Sequence, residues 1–190
     1  MEYLVFNPKT TNSYNDTICG LGLALIKRTK ITSSGLILIN PTFPIQPSNA
    51  AYHGITNEMV KGAPLLPEVW ADLSPHFSSC IIVAHNAPFH LAVLGKALHH
   101  WDISPPPVRY VDTLFWARKL YPKLGRYSLE YVCSSKGIFF TGDGAEKAEA
   151  TGRLFLKMKK GRFRLPSQTW NFSTNLYYDT YIPDRNRRRR

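Results

Sequence analysis

The chain has 190 residues, 44% hydrophobic and 19% charged, which excludes a disordered polyelectrolyte and fits one domain with a substantial core plus an appendage. Its 24 Lys and Arg against 13 Asp and Glu give a formal charge of +11, a balance suited to phosphate backbones or another acidic surface. Cys19, Cys80 and Cys133 are widely separated without CxxC spacing, so reduced core thiols are expected rather than a structural zinc site.

In chain order, Tyr3 to Phe6 reads as a short buried strand. Residues 17–28 and 31–39 are two further apolar runs, and the polar break RTK between them signals a hairpin. The Pro-rich NPTFPIQP must be a loop, since neither a helix nor a central strand tolerates that density of proline. Short helical pieces follow, with Ser48 and Thr56 as candidate N-caps and Gly54 and Gly62 as stops. SCIIVAHN predicts a fourth strand, which feeds a helix over 88–100 whose Leu91, Leu94 and Leu98 recur at helical spacing. PPPVRYVD sets off a fifth strand. Helices are predicted over 113–121, 128–136 and 145–160. Antiparallel strands first and alternating strands and helices afterwards imply an α/β fold with a mixed five-stranded sheet flanked by helices.

From Pro166 the character changes. Residues 166–190 are rich in Asn, Ser, Thr and aromatics and end in RNRRRR, so the expected organisation is a domain over 1–165 and an aromatic, Arg-rich tail over 166–190. Trp170, Phe172, Tyr177, Tyr178 and Tyr181 are too many aromatics for a purely solvated segment, and they are expected to pack on the domain or bind a partner. The start MEYLVF lacks a basic segment followed by a long apolar run, and GLGLALI and GLILI are too short to span a bilayer. A cytoplasmic protein with no membrane partner is therefore expected.

Five stretches carry a family resemblance: YLVF followed by a two-Thr turn, INPTFPIQPSNAAYHGITNEMV, IIVAHNAPF, YVDTLFWARKLYP and YSLEYVCSSKGI, in this order and spacing. Over about residues 1–160 the chain resembles the DnaQ-like 3′–5′ exonucleases of the RNase H-like superfold, which implies that fold. His53, Gly54, Ile55, Thr56, His85, Asn86, Phe89, Asp112 and Ser128 fit the family's framework. The resemblance also implies a chemistry: four carboxylates holding two hard divalent cations, and a His as general base for the attacking water.

At those five places this chain carries Asn7, Lys9, His90, Gly142 and Lys147. An amide, an imidazole and two ammoniums are a poor set for Mg²⁺, which relies on one or two carboxylates. Two added positive charges near a dication site are repulsive by several kcal/mol. The resulting expectation is a protein without cofactor or metal and not an enzyme: a pseudo-exonuclease that binds nucleic acid, or protein subunits of a larger nucleoprotein complex. The alternative is a residual metal-dependent 3′–5′ exonuclease with altered ligands. A different register of the last block brings in Asp143, Glu146 or Glu149 as a substitute ligand. The expected nucleic-acid contacts are Lys9, His53, Asn86, His90, Arg118, Lys119, Arg126, Lys147, Arg187, Arg188, Arg189 and Arg190, with Lys9 and Lys147 forming an anion cleft or serving as ordinary solvated charges.

Overall fold

The computed structural model describes residues 1–160 and 167–173. Two hairpin connections open the chain: β1 (Glu2–Thr10), β2 (Ile18–Lys27) and β3 (Lys30–Leu38) pair antiparallel in succession. Three helices follow, α1 (Pro47–His53), α2 (Asn57–Val60) and α3 (Leu66–Ser79). β4 (Ile81–Ala84), α4 (Ala87–His99) and β5 (Val108–Asp112) form the crossover unit, with β4 parallel to both β1 and β5. α5 (Thr113–Leu120), α6 (Leu129–Ser135), α7 (Ala145–Lys159) and β6 (Gln168–Trp170) complete the order.

The sheet runs β3-β2-β1-β4-β5-β6. β1 sits inside it with helices on both faces, which is why Tyr3 to Lys9 are all buried. Side chains on a strand alternate, so Leu4 and Phe6 join one core with α3 and α4, while Tyr3 and Val5 join the other with α5, α6 and α7. Asn7 and Lys9 share the parity of Tyr3 and Val5. That parity sends two polar side chains toward the start of α7.

Helix ends follow the local chemistry. Thr56 caps α2 by accepting a hydrogen bond from Met59 N, and Gly54 ends α1 in the left-handed region at φ 76°, where a side chain is disfavoured. Ser48 does not cap α1: Pro47 takes the first helical position with its preset φ, and the cap falls on Gln46. The segment expected to give only short helical pieces also contains the 14-residue α3.

Among the described residues the sheet has six strands, not five. The sixth comes from the stretch beyond 165: β6 pairs antiparallel with β5, so that Trp170 stands opposite Val108. Trp170 and Phe172 are each 5% exposed and belong to the core that includes α4, which corrects their reading as partner-binding aromatics. Phe172 Cδ1 lies 3.0 Å from where a Cβ on Gly95 would stand, so the glycine inside α4 admits the ring. The sequence concealed this because three residues of strand carry too little alternation to register. Tyr177, Tyr178 and Tyr181 lie outside the described residues, as do Arg187, Arg188, Arg189 and Arg190. Among the described residues no helix is long and apolar enough to cross a membrane.

Replacing Trp170 with Ala tests whether β6 is part of the core. Loss of a buried Trp costs about 3–5 kcal/mol, and urea denaturation is expected to show a drop of that order. A loss below about 1 kcal/mol, typical of surface substitutions, contradicts the placement.

Candidate functional site

At the carboxyl end of β1 the chain buries an ammonium. Lys9 is 3% exposed, and its Nζ donates to Asn7 Oδ1 at 2.6 Å and to Asp143 Oδ2 at 2.6 Å. The other Asp143 oxygen, Oδ1, lies 2.7 Å from Lys147 Nζ. Lys147 Nζ also meets Glu130 Oε1 at 3.1 Å, donates to the Tyr52 hydroxyl at 3.1 Å and stands 5.0 Å from the Tyr52 ring centroid. The result is a line of alternating groups, Asn7, Lys9, Asp143, Lys147, then Glu130 and Tyr52, drawn from β1, the loop before α7, α7, α6 and α1.

Local structure explains how these meet. Asp143 immediately precedes Gly144, the N-cap of α7, where a carboxylate also faces the positive end of the helix dipole. Lys147 is four residues on, one turn into the helix, so the pair closes at i,i+4. The approach of this loop to the sheet depends on Gly22 in β2, because a Cβ there would stand 2.7 Å from Gly144 O.

The two lysines respond differently to one shared carboxylate. Burial lowers the Lys9 pKa, and Asp143 only partly offsets it. Burial also pushes Lys147 down, but its bonds to Asp143 and Tyr52 outweigh that and raise its pKa above the ordinary value. Depth accounts for the difference, since 3% of the Lys9 side chain is exposed against 12% for Lys147.

The histidines divide by role. His53 accepts from Ile55 N on Nδ1 and uses Nε2 toward Thr10 O at 3.0 Å, so both ring nitrogens are engaged within the chain. His85 bridges Thr113 Oγ1 and Tyr127 O, tying the end of β4 to α5 and to the loop before α6. His90, on α4, lies edge-on to Phe6 and Phe89, with its Nδ1 buried and without a hydrogen-bond partner. Burial and the Lys9 charge lower its pKa to about 3. Asn86 takes the left-handed conformation at φ 72° ahead of α4, and Asp112 holds its N–H at 2.8 Å while capping α5 through Leu114 N.

Among the expected site residues, the structure therefore joins Asn7, Lys9 and Lys147. Gly142 lies in the same loop as Asp143, at φ 87°. Arg118, Lys119 and Arg126 are exposed around the α5–α6 connection. Arg118 lies over the Tyr127 ring and Lys119 over the Phe115 ring. Arg126 lines an open groove of ≈ 430 Å³ with Ser128, Glu130, Tyr131 and Phe139, and Glu130 borders both this groove and Lys147. Tyr52 and Glu130 escaped the sequence reading because isolated polar residues on short helices carry no pattern. Asp143 was visible only as a substitute ligand.

The family resemblance implies two divalent cations, and the residues present do not fit that centre. Of the two carboxylates in the cluster, Asp143 already meets two ammoniums through both oxygens and Glu130 is paired with Lys147. Among the described residues no group of three or more His, Cys, Asp and Glu side chains converges on a metal position.

Comparison with known proteins supplies the context. The exonuclease family model RNase_T matches residues 2–151. The chain is 30% identical over 161 residues to a PolC-type DNA polymerase III of Caldanaerobacter subterraneus subsp. tengcongensis, covering 83% of this chain and 11% of that protein. It is 26% identical over 187 residues to the 3′-5′ exonuclease DinG of Staphylococcus saprophyticus subsp. saprophyticus, covering 94% of this chain and 21% of that protein. Its fold matches the nuclease domain of 3′hExo, a DEDDh family member bound to rAMP, with a TM-score of 0.76 at 13% identity, covering 88% of this chain and 96% of that one. The chain thus spans between about a tenth and a fifth of these two sequence relatives.

These matches correct the expectation that the chain is not an enzyme. An exonuclease model covering most of the chain, and similarity to a protein named as a 3′-5′ exonuclease, run against the pseudo-exonuclease reading. The identities of Asn7, Lys9, His90, Gly142 and Lys147 do not by themselves show that activity is lost.

The histidines give a pH dependence. His53, His85 and His90 all have lowered pKa values in the folded chain, chiefly through burial. Unfolded, each takes up a proton near the ordinary value of 6.5. The stabilisation is fully present above that value and is lost as pH falls through the window down to about 3 for His90. Replacing His90 with Leu is expected to reduce the acid-side slope of unfolding free energy by up to ~1.4 kcal/mol per pH unit. An unchanged slope in urea titrations across that window contradicts the burial of a neutral ring.

Proposed function

We propose that this chain, which belongs to the exonuclease family, engages the 3′ end of a nucleic-acid strand in the cleft where β1, α1, α6 and the start of α7 meet. The observation that carries the reading is the Lys9–Asp143–Lys147 cluster. It sets charged groups at the positions where the family resemblance implies the reacting phosphodiester. The exposed face of this cleft is finished by Tyr52, 71% exposed, and by the groove bordered by Arg126 and Tyr131. Cations beside exposed aromatics suit a single strand, whose phosphates need positive partners and whose bases stack.

Within this reading the chain is a 3′–5′ exonuclease with altered ligands, the activity named for its DinG relative. The similarity to a small part of a PolC-type polymerase supports a second element, that the chain works beside other subunits of a nucleoprotein assembly.

The test uses the full chain with 5′-labelled single-stranded DNA and RNA. Binding followed by fluorescence anisotropy is expected to weaken with salt, by a slope of about 0.7 per phosphate contacted. Exchanging Lys147 for Ala is expected to weaken it by about three- to tenfold, the loss of one charge-assisted contact. Shortening of the strand from its 3′ end in Mn²⁺, stopped by a chelator, supports exonucleolysis. Binding without shortening at any metal concentration removes that part. Absence of binding at low salt defeats the whole reading.

A further inference from the structure

Asp143 is the most constrained charged residue of the cleft. Both its oxygens are taken, one by Lys9 at 2.6 Å and one by Lys147 at 2.7 Å, and its side chain is 13% exposed. A carboxylate spanning two ammoniums with one oxygen on each reproduces the way a phosphate group spans two cations with two of its oxygens. Lys9 itself is 3% exposed, and its Nζ donates to Asn7 Oδ1 and to Asp143 Oδ2.

We infer that Asp143 is an internal stand-in for one phosphate group of the strand, occupying the Lys9–Lys147 site until a phosphodiester displaces it. The inference rests on the reading that this cleft engages nucleic acid. Asp143 lies between Gly142 and Gly144, which add no side chain of their own to the loop, although Glu146 and Leu36 pack beside them. Lys147 need not move: Glu130 and the Tyr52 hydroxyl hold its ammonium from the other side. When the carboxylate leaves, Lys9 and Lys147 present two positive charges to one incoming phosphate. An internal anion of this kind weakens every strand equally and discriminates against weakly charged ligands, because only a phosphodiester in register repays its removal.

The experiment compares the full-length chain and Asp143→Asn for binding of a 5′-labelled single-stranded oligonucleotide with a free 3′ hydroxyl, in a chelating buffer. Asn keeps the shape and removes the charge. Asp143→Asn is expected to bind about tenfold tighter, with a steeper salt dependence, since an uncompensated ammonium pair releases more counterion on binding. Removing the carboxylate also strips Lys9 of its partner, so a wild-type measurement accompanies it: amide hydrogen exchange at residues 142–144 is expected to quicken when the oligonucleotide binds. Wild-type binding with no gain in Asp143→Asn and no quickening overturns the inference and leaves the functional reading standing. Absence of wild-type binding, whether or not Asp143→Asn binds, ends both.

Discussion

A buried ammonium must be paired, and the carboxylate partner of Lys9 comes from a residue 134 positions away. Leaving one member of such a pair uncompensated costs about 3–5 kcal/mol, a large share of the stability of a domain this size. The contact therefore fixes more than itself. It clamps the loop before α7 against the end of β1, and with it the start of a helix whose Leu154, Phe155 and Met158 fill the core on that face of the sheet. Gly22 and Gly144 let the clamp close by bringing backbone to backbone. Sheet, helix and cleft thus share one electrostatic fastening.

Much of the fold was legible because its elements are long or periodic. The apolar runs of β2 and β3, the leucine spacing of α4 and the positions of α5, α6 and α7 fall close to where pattern alone places them. Two features resisted. β6 is three residues long, and its contribution comes from Trp170 reaching Tyr110 and Phe172 reaching Gly95, both tertiary facts. α1 takes its first turn from Pro47 rather than from the nearby serine, because a preset φ competes well with a hydroxyl cap. The site was half legible: strand parity put Asn7 and Lys9 on one face, but only the fold shows that Asp143 meets both lysines and that Glu130 and Tyr52 back the second.

The charge of the whole chain misleads about the charge of the cleft. A formal +11 suggests a strongly positive pocket, yet the cluster itself holds two ammoniums and the two carboxylates of Asp143 and Glu130. Low-dielectric surroundings favour such balance, since an unpaired buried charge is far more costly than a paired one. The free positive charge stands instead on exposed residues such as Arg118, Lys119 and Arg126. In the proposed function, long-range attraction of a polyanion and its close docking therefore fall to different groups.

The same balance clarifies what the substituted positions do. The centre implied by the family resemblance offsets four carboxylates with two dications; this cleft offsets two carboxylates with two covalently attached cations. The four groups balance, with Lys9 and Asp143 largely buried and Glu130 57% exposed, and the pairing requires nothing from solution to hold the loop before α7 in place. The loop before α7 is thus held by the chain's own ion pairs. On the inference that Asp143 stands in for a phosphate, displacement of this internal anion comes before contact with an external one.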